Sequence, residues 1–342
     1  ALISEEKVLN AVVLGRKKTF EGDSADSFEY ETCKKYSIPF EQVRAARLSR
    51  SLTVFSVISL LKFPLGVFDA MLALKKHKVS ILLSFGGYIG FTTSVAAFLL
   101  NIPIVIHEQT QEAGMANKII SFFAKTICIS FESSRPFFPK SKTVFTGNPI
   151  RKEVFKPKRP LFPISSRILY ITGGSSGSGA INSLVFDSLE ALLKTFTVLH
   201  QTGNSALTQD FEKANKLKNS LDKDMSSNYI VSEFVDTADI GWVLKNASIV
   251  VSRSGINTVL ELMALEKPSL LIPLPHGQGD EQIKNANLLK NVGLARVIEQ
   301  KNLTAQTFTE AIFDISKNKE SFSISRKDKD LYIKKDAINN LL

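Results

Sequence analysis

Short apolar runs closed by glycine or polar loops alternate with helical periodicity along most of the chain. Val8-Leu9-Asn10-Ala11-Val12-Val13-Leu14-Gly15 is the first such run and reads as a buried parallel strand. Further strands are predicted at Val79–Phe85, Ile102–Ile106, Ala124–Ser130 and Thr143–Thr146. Between them the pattern predicts a long helical region over 50–78 interrupted at Pro64, a helix over 92–100 and another around 114–125. This alternation implies a parallel sheet with helices on both faces.

The composition shifts after Arg151. Lys156-Pro157-Lys158-Arg159-Pro160-Leu161-Phe162-Pro163 is too rich in proline for a helix or a central strand. A second alternation follows, with strands expected at Arg167–Thr172, Thr197–His200, Tyr229–Val231, Ser248–Val251 and Ser269–Ile272. Helices are expected from Ala180, over 257–265 and over 280–292. The reading is an α/β protein with a Rossmann-like domain over 1–152, a linker over 153–163 and a second Rossmann-like domain over 164–325. A C-terminal helix over 326–342 can pack back on the first domain, and the cleft between the domains is the expected site.

Composition narrows the function. The chain has 342 residues, 44% hydrophobic and 22% charged, which excludes a disordered or fibrous protein. No apolar run reaches membrane-spanning length, and no signal peptide is expected. Cys33 and Cys128 lie far apart, which excludes a disulfide scaffold and a structural zinc site. The net charge is +10, and the excess in the first half gathers on Arg44, Arg47, Arg50, Lys62, Lys75, Lys76 and Lys78. Such a patch needs an acidic partner: anionic lipid, nucleotide phosphate or nucleic acid. Leu52, Val54, Phe55, Ile58, Leu61, Phe63 and Leu65 lie between Arg44, Arg47, Arg50 and Lys62, so residues 52–65 are expected to meet an anionic membrane surface.

Glycine-rich loops carry the candidate chemistry. Gly173-Gly174-Ser175-Ser176-Gly177-Ser178-Gly179 leaves a strand and opens a helix, a backbone cradle for a phosphate at a helix N-terminus. A nicotinamide site wants an acid at the end of the next strand, but that strand ends in His200-Gln201-Thr202-Gly203, which argues against a dehydrogenase. Ser252-Arg253-Ser254-Gly255-Ile256-Asn257-Thr258 repeats the strand–turn–helix pattern. Glu261, one turn into that helix, can accept two ribose hydroxyls, or can close a capping box with Thr258. Pro275-His276 with Gln282 and Asn285 suits sugar hydroxyls. Gly86-Gly87-Tyr88 and His107-Glu108-Gln109 follow strands in the first half. His107, His200 and His276 are all expected at strand ends, on the ligand-binding edge. Serine nucleophile elbows, metal triads and P-loop lysines are absent.

Taken together from about Leu14 to Leu303, these motifs resemble the MurG family of glycosyltransferases, joined by Gly114–Asn117, Gly147-Asn148-Pro149-Ile150-Arg151 and Glu233-Phe234-Val235-Asp236. The resemblance implies a GT-B fold, two Rossmann-like domains facing each other across a cleft. It implies transfer of N-acetylglucosamine from UDP-GlcNAc to the MurNAc 4-hydroxyl of lipid I, with inversion, making lipid II for peptidoglycan. By position it assigns Arg151, Ser175, Val235, Ile256, Asn257, Thr258, Glu261 and Gln282 to the donor. Gly86, Gly87, Tyr88, Thr110 and Asn117 go to the acceptor side, and Glu108 with His107 to catalysis. No metal, cofactor or nucleic acid is implied, and the expected place is peripheral, on the cytoplasmic face of the bacterial membrane. The family opens with a strand and a Gly-Gly-Thr-Gly-Gly-His loop that this sequence lacks, so the sequence is expected to be truncated at its N-terminus. Thr110 stands where the family has Asn, and Ile89-Gly90-Phe91-Thr92 where it usually has Ser and Pro. Three alternatives stay open: a GT-B transferase acting on another lipid, a UDP-GlcNAc 2-epimerase, and a non-catalytic nucleotide-sugar binder.

Overall fold

The computed structural model describes residues 10–18, 26–44, 54–155, 167–174, 177–205, 208–275, 280–334 and 336–341, with the side chains of Phe28 and residues 54–62 left aside. The chain divides into two compact units, one running to Pro149 and resuming at Lys334, the other spanning Ile150–Ile333. It therefore crosses between them twice. Most of the expected linker, from residue 156 on, lies outside the described residues.

The first unit contains β1 (Val13–Gly15), α1 (Phe28–Lys35), β2 (Phe40–Gln42), α2 (Val54–Lys76), β3 (Leu82–Ser84), α3 (Gly87–Leu99), β4 (Ile104–Glu108), α4 (Met115–Ile120), β5 (Thr126–Ile129) and β6 (Thr143–Phe145). β1 pairs with β2, and β3-β4-β5-β6 form a four-stranded sheet, all parallel. Ile104, Ile106, Ile127 and Ile129 from the sheet pack with Leu74, Ala96 and Ile120 from the helices, all nearly or fully buried. α1 has little apolar periodicity and is held by its ends. Ser27 caps it by accepting from the Tyr30 N–H, with Glu29 and Glu31 in the first turn and Lys34 and Lys35 in the last.

The expected break at Pro64 does not occur: α2 runs through it. A mid-helix proline removes one hydrogen bond and crowds the preceding turn. Packing just beyond it offsets that cost, since Val67, Ala70 and Leu74 are buried and Phe63 stacks on Phe91 of α3 with centroids 5.5 Å apart. The basic patch is also corrected at one position. Arg44 is bound by two bonds to Asp69, at 2.6 and 2.7 Å, so it is not a bare cation facing headgroups. Arg47, Arg50 and residues 52–53 lie outside the described residues, as does the Lys62 side chain. No described helix is long and apolar enough to cross a membrane.

The second unit contains β7 (Arg167–Thr172), α5 (Gly179–Leu193), β8 (Phe196–Gln201), α6 (Asp210–Ser220), α7 (Lys223–Ser227), β9 (Tyr229–Ser232), α8 (Ile240–Asn246), β10 (Ala247–Ser252), α9 (Ile256–Ala264), β11 (Ser269–Leu271), α10 (Glu281–Asn291), β12 (Ala295–Val297), α11 (Ala305–Lys317) and α12 (Arg326–Tyr332). Its six parallel strands run in the order β12-β11-β10-β7-β8-β9. The sheet grows one way from β7 and the other way from β10, so the strand order reverses between them, where open α/β sheets bind ligands. Leu169, Ile171, Val185, Leu189, Val198, Val251, Leu270, Phe308 and Ile312 fill its core. α13 (Ala337–Leu341) belongs to the first unit, where Gly147, at φ +78°, makes room for Lys334.

The segment entering the second unit is anchored at once. Lys152–Val154 forms a 3-10 turn, Val154 is fully buried, and the Glu153 carbonyl lies against Gly241 of α8. A Cβ at Gly241 would collide with that carbonyl. Gly241→Val is therefore expected to destabilise the unit by about 1–3 kcal/mol. Urea unfolding followed by the fluorescence of Trp242 reads this, and an unchanged midpoint would mean that the contact does not form in solution.

Candidate active site

β7 and β10 pair with Thr172 opposite Ser252, so the loops that follow leave from one sheet edge. After Thr172 the backbone turns through Gly174 at φ +90° and Gly177 at φ +75°, left-handed conformations open to glycine without strain. Gly177 lies directly against the Thr202 carbonyl and leaves no room for a side chain. α5 then opens after Ser178, and α9 opens after Gly255 on the neighbouring strand. Each helix start presents unpaired N–H groups and the positive end of its dipole, which suits a diphosphate. Ser175 and His276 lie outside the described residues.

Two polar side chains hold this edge together. Gln201, at the end of β8, accepts from Tyr170 Oη at 2.9 Å and from the Val235 N–H at 3.1 Å, and donates to the Gly174 carbonyl at 3.2 Å. Val235 is thereby fixed through its amide to the glycine loop. Arg253 donates to the Ile272 and Pro273 carbonyls, to Ser178 Oγ and to Gln300 Oε1, at 2.7–3.2 Å. It ties four loops into one rim, a role its position after an apolar strand did not reveal. Gln282 accepts from the Leu274 N–H at 2.9 Å and, through its carbonyl, from Ser254 Oγ at 2.7 Å, which leaves its Nε2 to donate. Asn285 reaches the Ser254 carbonyl at 3.2 Å.

Ile256, Asn257, Thr258 and Glu261 all lie on α9. Gly255 stands at the N-cap, which leaves Thr258 inside the helix, so the capping box with Glu261 is not formed. The Glu261 side chain is only 8% exposed. Arg151 Nε donates to its Oε1 at 2.6 Å and Arg151 Nη2 to its Oε2 at 2.8 Å, a two-pronged pair that holds the guanidinium pKa above its ordinary value.

In the first unit the residues expected on the acceptor side gather around Glu108. Its carboxylate, in a residue 3% exposed, accepts from the Thr110 N–H and hydroxyl, the Gly114 N–H and Asn117 Nδ2, at 2.6–3.0 Å. Asn117 in turn lies against Gly86, which turns at φ +82° before Gly87 and Tyr88 open α3. Tyr88 lies beneath the Arg16 guanidinium, 5.2 Å from its ring centre. These bonds fix the orientation of the Glu108 carboxylate within the loop and helix that follow β4. His107 is fully buried: Nε2 donates to the Gly147 carbonyl at 3.2 Å, Phe85 packs edge-on against it, and burial lowers its pKa.

Known proteins match along the same two-unit division. Residues 24–129 match the glycosyltransferase family 28 N-terminal domain and residues 168–341 its C-terminal domain. The UDP-N-acetylglucosamine--N-acetylmuramyl-(pentapeptide) pyrophosphoryl-undecaprenol N-acetylglucosamine transferase of Clostridium botulinum is 34% identical over 306 residues, 87% of this chain and 82% of its own length. The enzyme of the same name from Prochlorococcus marinus is 33% identical, over 90% of this chain and 81% of its own length.

The chain belongs to the MurG family, within glycosyltransferase family 28.

It is a hexosyltransferase with the GT-B fold. The crystal structure of Acinetobacter baumannii MurG aligns with a TM-score of 0.60 and 25% identity, over 91% of this chain and 92% of that one. A UDP-GlcNAc 2-epimerase from Neisseria meningitidis aligns with a TM-score of 0.58 at 14% identity, over 94% of this chain and 93% of that one, a likeness of fold alone.

In this transferase the strand-end histidine of β8 is buried. His200 lies inside β8, fully buried, with Nδ1 2.9 Å from Tyr229 Oη and Nε2 3.0 Å from Asn182 Oδ1. Asn182 also donates to the Thr202 carbonyl and to Asp210. His200 is therefore a structural residue under the glycine loop. Burial lowers its pKa to about 3, from an ordinary 6.5. The unfolded chain thus takes up a proton that the folded chain refuses, so stability is full above pH 6.5 and falls as the pH drops toward 3. Urea unfolding between pH 7 and pH 4 should show this loss in the parent. His200→Gln should be less stable at pH 7 and should lose about one proton's worth of the slope.

Proposed function

We propose that this transferase moves N-acetylglucosamine from UDP-GlcNAc to the MurNAc 4-hydroxyl of lipid I, with inversion, making lipid II. The observation that carries the reading is the junction of two glycine-gated helix starts on neighbouring strands beside a buried glutamate. That arrangement fits a nucleoside diphosphate in which α5 and α9 face the phosphates and Glu261 meets the ribose. The Val235 carbonyl accepts from the uracil, and Gln282 donates to the sugar. The acceptor oxygen attacks C1 as its proton passes to a base, for which Glu108 is the candidate, the bond from C1 to the β-phosphate oxygen breaks, and UDP leaves with the electron pair. Helix dipoles stabilise the charge that develops on the leaving diphosphate. Gly86, Gly87, Tyr88, Thr110 and Asn117 line the acceptor side, with Glu108 bracing Thr110 and Asn117.

The reaction is tested by incubating the protein with UDP-GlcNAc and a soluble lipid I analogue. UDP should appear in step with a disaccharide product, and neither should appear when the acceptor is left out. Conversion of the donor to its C2 epimer without acceptor would replace this reading with the epimerase one.

On the same reading the first unit meets a membrane surface. Leu65, Phe68 and Leu72 are about half exposed and share one face of α2, at spacings of three and four residues. An apolar face on a basic segment suits the interface of an anionic bilayer. The protein should pellet with phosphatidylglycerol vesicles, less so as salt rises. Replacing Leu65, Phe68 and Leu72 with Ser should reduce the bound fraction several-fold and leave UDP affinity unchanged. Equal pelleting of parent and variant would remove this face from the membrane contact.

A further inference from the structure

Gln201 ends β8, and its buried side-chain amide joins two loops of the second unit. Its Oε1 accepts from the Val235 N–H at 3.1 Å and from Tyr170 Oη at 2.9 Å, and its Nε2 donates to the Gly174 carbonyl at 3.2 Å. A backbone donor meets one end of the amide and a backbone acceptor the other. Only a side-chain amide can make both links, since a carboxylate has no proton to donate and an alkyl chain has neither function.

The link decides what the segment after β9 offers a ligand. The Ser232 carbonyl accepts from the Thr202 N–H, that of Glu233 from the Gly203 N–H, that of Phe234 from Ser232 Oγ, and that of Asp236 from the Asp239 and Ile240 N–H groups, all at 2.6–3.1 Å. Among the described residues the Val235 carbonyl alone in this stretch meets no donor of the chain. It lies between two anchored peptides, and Gln201 takes the N–H of the same residue. Val235 therefore presents an acceptor and no donor. At the other end, the Gly174 carbonyl accepts from Gln201 and from the Gly177 N–H at 3.2 Å. Two donors thus hold the negative end of that carbonyl, which would repel a phosphate if it turned outward.

We infer that Gln201 is a positioning residue for base selection: it holds Val235 as a lone backbone acceptor beside the glycine loop, and so selects uracil, which carries an N–H at N3, over cytosine, which carries a lone pair there. The inference rests on the reading of the Val235 carbonyl as the uracil contact. Without Gln201 the Val235 N–H is released, and the same backbone can offer cytosine a donor. A plain structural role would weaken the binding of both nucleotides alike, whereas this role changes the ratio between them.

The test is isothermal titration of the protein with UDP and with CDP, circular dichroism checking the fold of each variant. The parent should prefer UDP by about tenfold or more, the scale of a buried group left without its hydrogen bond. Gln201→Met has a similar length but no donor or acceptor, and its preference should fall to about threefold or less. Tyr170→Phe with Gln201→Met also removes the hydroxyl that methionine leaves unpaired, and should show the same reduced ratio even where the single variant folds poorly. Gln201→Glu keeps an acceptor for the Val235 N–H and loses the donor to Gly174. It should keep the preference while binding UDP and CDP several-fold more weakly alike. If the methionine variants keep the full preference, or if Gln201→Glu loses it with them, the positioning role is overturned and the reading of Val235 stands. If the parent binds UDP and CDP equally, the uracil reading of Val235 falls and the inference falls with it.

Discussion

The second unit depends on the pairing of β7 with β10. These strands are distant in sequence, but their parallel register sets Thr172 beside Ser252. Everything that follows β7 builds outward through β8 and β9, and everything that follows β10 builds outward through β11 and β12. At this junction the two connections diverge, α5 leading on to β8 and α9 to β11, which opens a crevice between their loops. A single helix start contributes roughly half a positive charge. A diphosphate carries more than one negative charge, so two such starts serve it better than one. Gln201 and Arg253 make the junction rigid by tying the loops to each other across strands.

Two buried glutamates show how one residue type serves two purposes. Glu108 is surrounded by four donors from its own loop, two N–H groups, a hydroxyl and an amide. These bonds shape residues 108–117. Glu261 meets a single guanidinium and keeps half its capacity. Burial makes a charge costly unless it is compensated, and both sites compensate it. They differ in how the charge is compensated, by several donors around Glu108 and by one guanidinium fork at Glu261.

Much of the donor side is legible in the sequence, because its strands are buried on both faces and appear as continuous apolar runs. A glycine-rich loop between such a run and a helix marks a tight turn with an open backbone, the local form that a phosphate needs. The elements that the pattern does not mark are those whose stability comes from elsewhere. α1 is polar and held by its cap, β2 is three residues long, and α8 is nearly all buried without a polar face to mark its period. At Pro64 local chemistry favours a break, but the energy of packing α2 on α3 exceeds the loss of one helical hydrogen bond.

The sequence by itself determined the α/β class, the change of unit near Arg151, the glycine-gated helix starts and the membership in a glycosyltransferase family. These depend on short-range pattern: apolar period, turn residues and motif order. Only the tertiary structure decided what the polar side chains do. His107 and His200 became buried groups, Glu108 met Thr110, Gly114 and Asn117, and Arg44 became the partner of Asp69. Arg151 met Glu261 across 110 positions of chain. A lone pair has no sequence signature, since whether it is spent depends on which donors folding brings within 3 Å, and that distance is set by strand order and helix packing.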